Sequence, residues 1–77
     1  MRAKHISAIF GQVLREQRMV RGFSQEGLAL RADIDRAFLS QMERGVRQPS
    51  ITTLIKLSWA LGVQPSVLIR RLERLIR

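Results

Sequence analysis

Arg36, Ala37, Ser40, Gln41 and Arg44 recur at intervals of three and four residues, so on a helix they form a single stripe. No carboxylate interrupts it. A guanidinium offers a planar fork of donors that fits phosphate oxygens or the O6/N7 edge of guanine, and such a stripe is suited to meeting a polyanion. The whole chain shares the bias, with 12 Arg against 2 Lys, although high-GC codon usage would produce the same preference without any functional cause.

The charge balance narrows the partner. With 14 Lys+Arg, 6 Asp+Glu and a net charge of +8 on 77 residues, the chain attracts nucleic acid or an acidic membrane surface. Metal and redox chemistry are not expected: cysteine is absent, and the single histidine, His5, has no evident ligand set around it. No nucleophile stands with a base, no glycine-rich phosphate cradle is present, and tyrosine is missing, so neither an enzyme nor a bound cofactor is expected. The run MRAKHISAIFG lacks the long apolar core of a signal peptide, and no stretch reaches the ~20 apolar residues of a membrane span, so a cytoplasmic location is expected.

Short helices must position the stripe. Ile6, Ile9, Phe10, Val13 and Leu14 predict a first helix from about Ile6 to Val20, stopped by Gly22. Ser24 is the expected cap of a second helix that faces Leu28 and Ala29 inward. Asp33-Ile34-Asp35 then reads as a three-residue turn: Asp33 in the left-handed conformation, Ile34 plugging the core, Asp35 capping the third helix. That helix, Arg36 to Arg44, turns Leu39 and Met42 inward with Phe38 on their flank, and Gly45 ends it. Ser50 caps a fourth helix holding Ile51, Leu54, Leu57 and Leu61, and Pro65 opens a fifth that reaches the C-terminus. One all-α domain over residues 1–77 is expected, with a basic arm at 1–5 and a C-terminal extension of the fifth helix at 69–77. At this length only about 60% of the unfolded surface is buried, so stability without a partner is marginal.

The segments FGQVLREQR, GFSQEGLA (Gly22 to Ala29), ERG with Pro49-Ser50 following, and LSWALGV (Leu57 to Val63) together resemble the phage repressor and Cro-like helix-turn-helix regulators, also called the xenobiotic-response-element family. The resemblance covers roughly Phe10 to Leu68, and DRAFLSQMERG is particularly similar to restriction-modification controller proteins. It implies a compact five-helix lambda-repressor-like domain that binds double-stranded DNA by laying the third helix in the major groove.

Carried over by position, the resemblance places Arg36, Ala37 and Gln41 where the family reads bases, and Ser24, Gln25, Ser40, Arg44 and Arg47 where it holds phosphates. Arg36 would take guanine and Gln41 adenine, while Ala37 touches a thymine methyl or leaves its step unread. Two competing readings stand beside these: Arg36 on phosphate or solvent, and Gln25 as an ordinary first-turn residue. Arg18 is implied to pair with Glu43, fastening the first helix to the end of the third.

The resemblance further implies a homodimer whose recognition helices sit about one DNA turn, ~34 Å, apart. Interface candidates are Trp59, which packs either on a twin or within its own subunit, and Leu72, Leu75 and Ile76. The expected function is a sequence-specific transcriptional regulator on a pseudo-palindromic operator, autoregulating a restriction-modification operon. An antitoxin-type protein-binding module and an RNA- or ribosome-associated adaptor are the alternatives. The basic side of the fifth helix also suits anionic lipid, but that reading leaves the rest of the chain unexplained.

Overall fold

Each turn of the chain has a local cause in its sequence. In the computed structural model, which describes residues 3–76, five helices follow one another: α1 Ala3–Val20, α2 Gln25–Ala32, α3 Arg36–Glu43, α4 Ile51–Leu61 and α5 Pro65–Leu75. Ser24 Oγ accepts from Gly27 N at 2.9 Å and Ser50 Oγ from Thr53 N at 3.1 Å, so both serines satisfy an otherwise unpaired first-turn donor. Asp33 adopts the left-handed conformation at φ 57°. The chain there reverses tightly enough for Ile34 N to reach Ala29 O at 3.0 Å and for the Ile34 side chain to settle against the core.

Some boundaries differ from the sequence expectation. Helix α1 begins at Ala3 rather than Ile6, so residues 3–5 of the expected basic arm are helical, and residues 1 and 2 lie outside the described residues. Helix α3 ends at Glu43, with Arg44 as its C-cap, and α5 ends at Leu75, short of Ile76. Asp35 has the extended backbone of an N-cap, φ −67° and ψ 137°, yet its side chain makes no capping hydrogen bond.

Helix α1 packs on α3 and α5, α2 on α3 and α4, and α4 on α5. Phe10, Val13 and Leu14 of α1 meet Leu28, Leu39, Met42, Leu57, Leu61 and Leu68 in one core, where the last six and Leu14 are almost wholly buried. Burial of each such side chain is worth about 1.5–3 kcal/mol. The contact between α1 and α3 needs glycine: a Cβ on Gly11 would lie 2.5 Å from Met42 O and 2.6 Å from Glu43 O. Gly45, at φ 76°, repeats the device where the chain leaves α3, since a Cβ there would come within 2.7 Å of Ala8 Cα. The backbone of α1 therefore lies directly against the end of α3 and fixes its direction. No helix among the described residues is long and apolar enough to cross a membrane.

Candidate nucleic-acid interface

Helix α3 has two unlike sides. Leu39 and Met42 are fully buried, while Arg36, Ala37 and Arg44 are exposed and Ser40 and Gln41 half-exposed on the opposite stripe. The one carboxylate of the helix, Glu43, is turned away from that stripe. Arg18 Nε donates to Glu43 Oε2 at 2.6 Å and Arg18 Nη2 to Glu43 Oε1 at 3.0 Å, a two-pronged pair with the carboxylate side chain 3% exposed. Arg18 Nη1 also donates to Phe23 O at 2.8 Å, so a single guanidinium joins α1, the turn before α2 and the end of α3.

The residues implied for phosphate fall into two groups. At the start of α2, Ser24 and Gln25 are partly committed inside the protein: the Ser24 hydroxyl accepts the cap bond, and Gln25 Nε2 donates to Glu43 Oε1 at 3.1 Å. Each keeps a hydrogen to give outward, the hydroxyl proton of Ser24 and the second amide hydrogen of Gln25. On the other side of α3, Arg44 is exposed, and Arg47 lies with its guanidinium carbon 5.4 Å from the centre of the Phe38 ring. That stacking orients the cation and leaves its donors free. Arg44 ends the stripe on α3, and the start of α2 and the loop after α3 add further donors.

Two supports of this face were not anticipated from the sequence. Gln48 Nε2 donates to Ser7 Oγ at 2.6 Å and ties the basic loop after α3 to α1. Ser7 shares the inward face of α1 with Phe10 and Leu14, and a polar residue in an apolar stripe signals a partner. Arg31 Nε donates to Ala60 O at 3.1 Å while its guanidinium lies 5.2 Å from the Phe23 ring centre, which locks α2 to the end of α4. Asp35, expected to spend its carboxylate on capping, leaves it exposed.

The candidates for self-association point in different directions. Trp59 is 71% exposed on α4, at an open concavity with Arg31, Asp33 and Lys56, so the reading in which it fills its own core is corrected. The core-facing positions of α4 are 54, 57, 58, 60 and 61, and residue 59 falls on the other side of the helical wheel. Leu72 is half-buried against the core, whereas Leu75, 56% exposed, stands beside Val13 and Glu16 of α1. Ile76 is half-buried just past the end of α5.

The fold recurs in known proteins. The helix-turn-helix family pattern matches residues 14–68. Control protein C.BamHI of Bacillus amyloliquefaciens is 42% identical over 66 residues, spanning 84% of this chain and 82% of the relative. The crystal structure of the restriction-modification controller protein C.AhdI from Aeromonas hydrophila superposes with a TM-score of 0.79 at 42% identity, over 80% of this chain and 94% of that one. The wild-type restriction-modification controller protein C.Esp1396I superposes with a TM-score of 0.84 at 28% identity, over 92% and 93%.

Proposed function

Because the chain belongs to the helix-turn-helix family of DNA-binding transcriptional regulators, a family of regulators and not of enzymes, we propose that it binds a pseudo-palindromic operator as a homodimer and controls a restriction-modification operon. The observation that carries this reading is the carboxylate-free outer stripe of α3, with Glu43 paired to Arg18 away from it and donors from the start of α2 and the loop after α3 beside it. Arg36, Ala37 and Gln41 read base edges, and Ser24, Gln25, Ser40, Arg44 and Arg47 hold the backbone on either side. The likeness to C.BamHI and C.AhdI, named as control and controller proteins, supports the regulatory role.

Scale supports dimerisation. The Cα envelope measures 32 × 22 × 21 Å, so two copies side by side bring equivalent helices to a separation of the order of one DNA turn, ~34 Å. The outward face of α4 supplies the contact: Ile51 and Trp59 are both more than 70% exposed, with half-exposed Ile55 one turn from each. Exposed aromatic residues are common anchors of such interfaces, and Trp59 ends this apolar row. A cytoplasmic location accords with this role.

Nuclease footprinting on the DNA upstream of the gene, with titration of selected and random duplexes, tests the reading. A protected two-fold site bound at least ~10³-fold more tightly than random duplex is expected. Equal affinity for both would leave only a basic protein that coats DNA.

A further inference from the structure

The start of α3 carries a carboxylate that no hydrogen bond or ion pair among the described residues holds. Three helices begin on a residue suited to capping, and two of them, Ser24 and Ser50, bond the backbone as caps do. Asp35 has the backbone geometry for the same bond and an equally good side chain, yet that side chain makes neither a capping bond nor any other hydrogen bond or ion pair among the described residues. It is exposed, and it directly precedes Arg36, which is likewise exposed and without an ion pair among the described residues. An anion at the end of the helix that enters the groove is repelled by the phosphates unless it meets a donor there.

We propose that Asp35 is a specificity-determining residue that accepts a hydrogen bond from the N4 amino group of a cytosine, at the base pair read by Arg36 or the pair next to it. This rests on the reading of α3 as the helix in the major groove. A carboxylate accepts only, and in the major groove hydrogen-bond donors are confined to the exocyclic amines of cytosine and adenine. Cytosine is the better match for one acceptor group, because adenine sets its acceptor N7 beside its amine and so favours an amide, which gives and takes. Spacing also fits. Consecutive Cα atoms lie about 3.8 Å apart and consecutive bases on one strand about 3.4 Å apart, so adjacent residues reach one pair or neighbouring pairs. On a single G·C pair, the Arg36 fork would take O6 and N7 of guanine while Asp35 takes N4 of its partner, a combination that no other base pair offers.

The test compares wild type, Asp35→Ala and Asp35→Ser on a panel of selected operators carrying every single-base change, and on random duplex. Serine is an equally good N-cap but lacks the carboxylate, so Asp35→Ser keeps the helix start intact and removes only the acceptor charge. The wild type should prefer cytosine at one position per half-site by about tenfold. Both variants should bind random duplex more tightly than wild type and weaken that preference: on a pair next to the one read by Arg36 it is lost while the guanine preference stays, and on a shared G·C pair only the part supplied by Arg36 remains. Replacing the cytosine with N4-methylcytosine should weaken the wild type and leave Asp35→Ser unaffected. If either variant discriminates among bases at every position as strongly as the wild type does, or loses preference only at a pair without cytosine, the assignment is overturned. Such a result leaves specific binding standing, whereas a wild type that does not distinguish operator from random duplex removes the groove reading itself.

Discussion

Gln25, the first residue of α2, and Glu43, the last of α3, meet amide to carboxylate at 3.1 Å. Through this contact the two helices of the DNA-binding unit are joined where the first begins and the second ends. Arg18 closes the arrangement from α1, so Glu43 accepts three hydrogen bonds from two side chains. The angle between the start of α2 and the end of α3 is thereby set before DNA arrives. Pre-set geometry of this kind saves ordering entropy on binding.

Removing Glu43 alone should be severe. Glu43→Ala leaves Arg18, whose side chain is 12% exposed, without its carboxylate, and the expected loss is about 3 kcal/mol or more in urea unfolding. The double variant Arg18→Met with Glu43→Leu should be less destabilised than Glu43→Ala, because no buried charge is then left unpaired. A double variant as unstable as the single would show that the charge is not the cause.

Asp33→Gly should stabilise the protein by about 1 kcal/mol. Asp33 is the one described non-glycine residue at positive φ, and it places a carboxylate at the negative end of the α2 dipole. Thermal unfolding of the two proteins at equal concentration is the measurement. An unchanged or lowered midpoint would mean that the carboxylate has a compensating role.

Arg36→Ala and Arg47→Ala should differ in kind. The first should flatten base preference at one position per half-site. The second should weaken all duplexes alike and reduce the slope of log K against log salt by about 0.9, the release from one phosphate. Titrations at several salt concentrations separate the two. A uniform loss for Arg36→Ala would return that residue to the phosphate reading.

Assembly can be separated from folding because Trp59 lies outside the core. Trp59→Ala should change monomer stability by no more than about 0.5 kcal/mol. It should nonetheless shift sedimentation from dimer toward monomer and weaken operator binding, although it touches no residue assigned to DNA. Leu75→Glu, on the α1 side, should leave the dimer intact. If Leu75→Glu dissociates the protein and Trp59→Ala does not, the interface is at the end of α5.

Much of this was legible in the sequence because its signals are local. Ser24, Ser50 and Pro65 mark helix starts through bonds or ring geometry set within a few residues, and the apolar spacing of Phe10, Leu14, Leu39 and Leu57 names the core. The start of α1 was not legible, since Ala3 to His5 contribute no apolar periodicity and no cap residue precedes them. Trp59 was ambiguous between Leu57 and Leu61 because a tryptophan tolerates either side of a helix, and only the packing of α2 and α5 decides which side is covered. The bonds from Gln48 to Ser7 and from Arg31 to Ala60 link residues 41 and 29 positions apart, beyond the reach of any local pattern. The idle carboxylate of Asp35 was hidden by its own suitability as a cap.

The division of α3 into unlike sides has a consequence for descent. Leu39, Met42 and Glu43 hold the helix in place, while Arg36 and Ala37 stand exposed, clear of the core and of both described ion pairs. Replacements at those two positions meet little resistance from folding. On the proposed reading of Arg36 and Ala37 as base readers, lineages can exchange them as their DNA targets change, and two such regulators sharing a cell would escape crosstalk by drifting at a few surface positions on an unaltered frame.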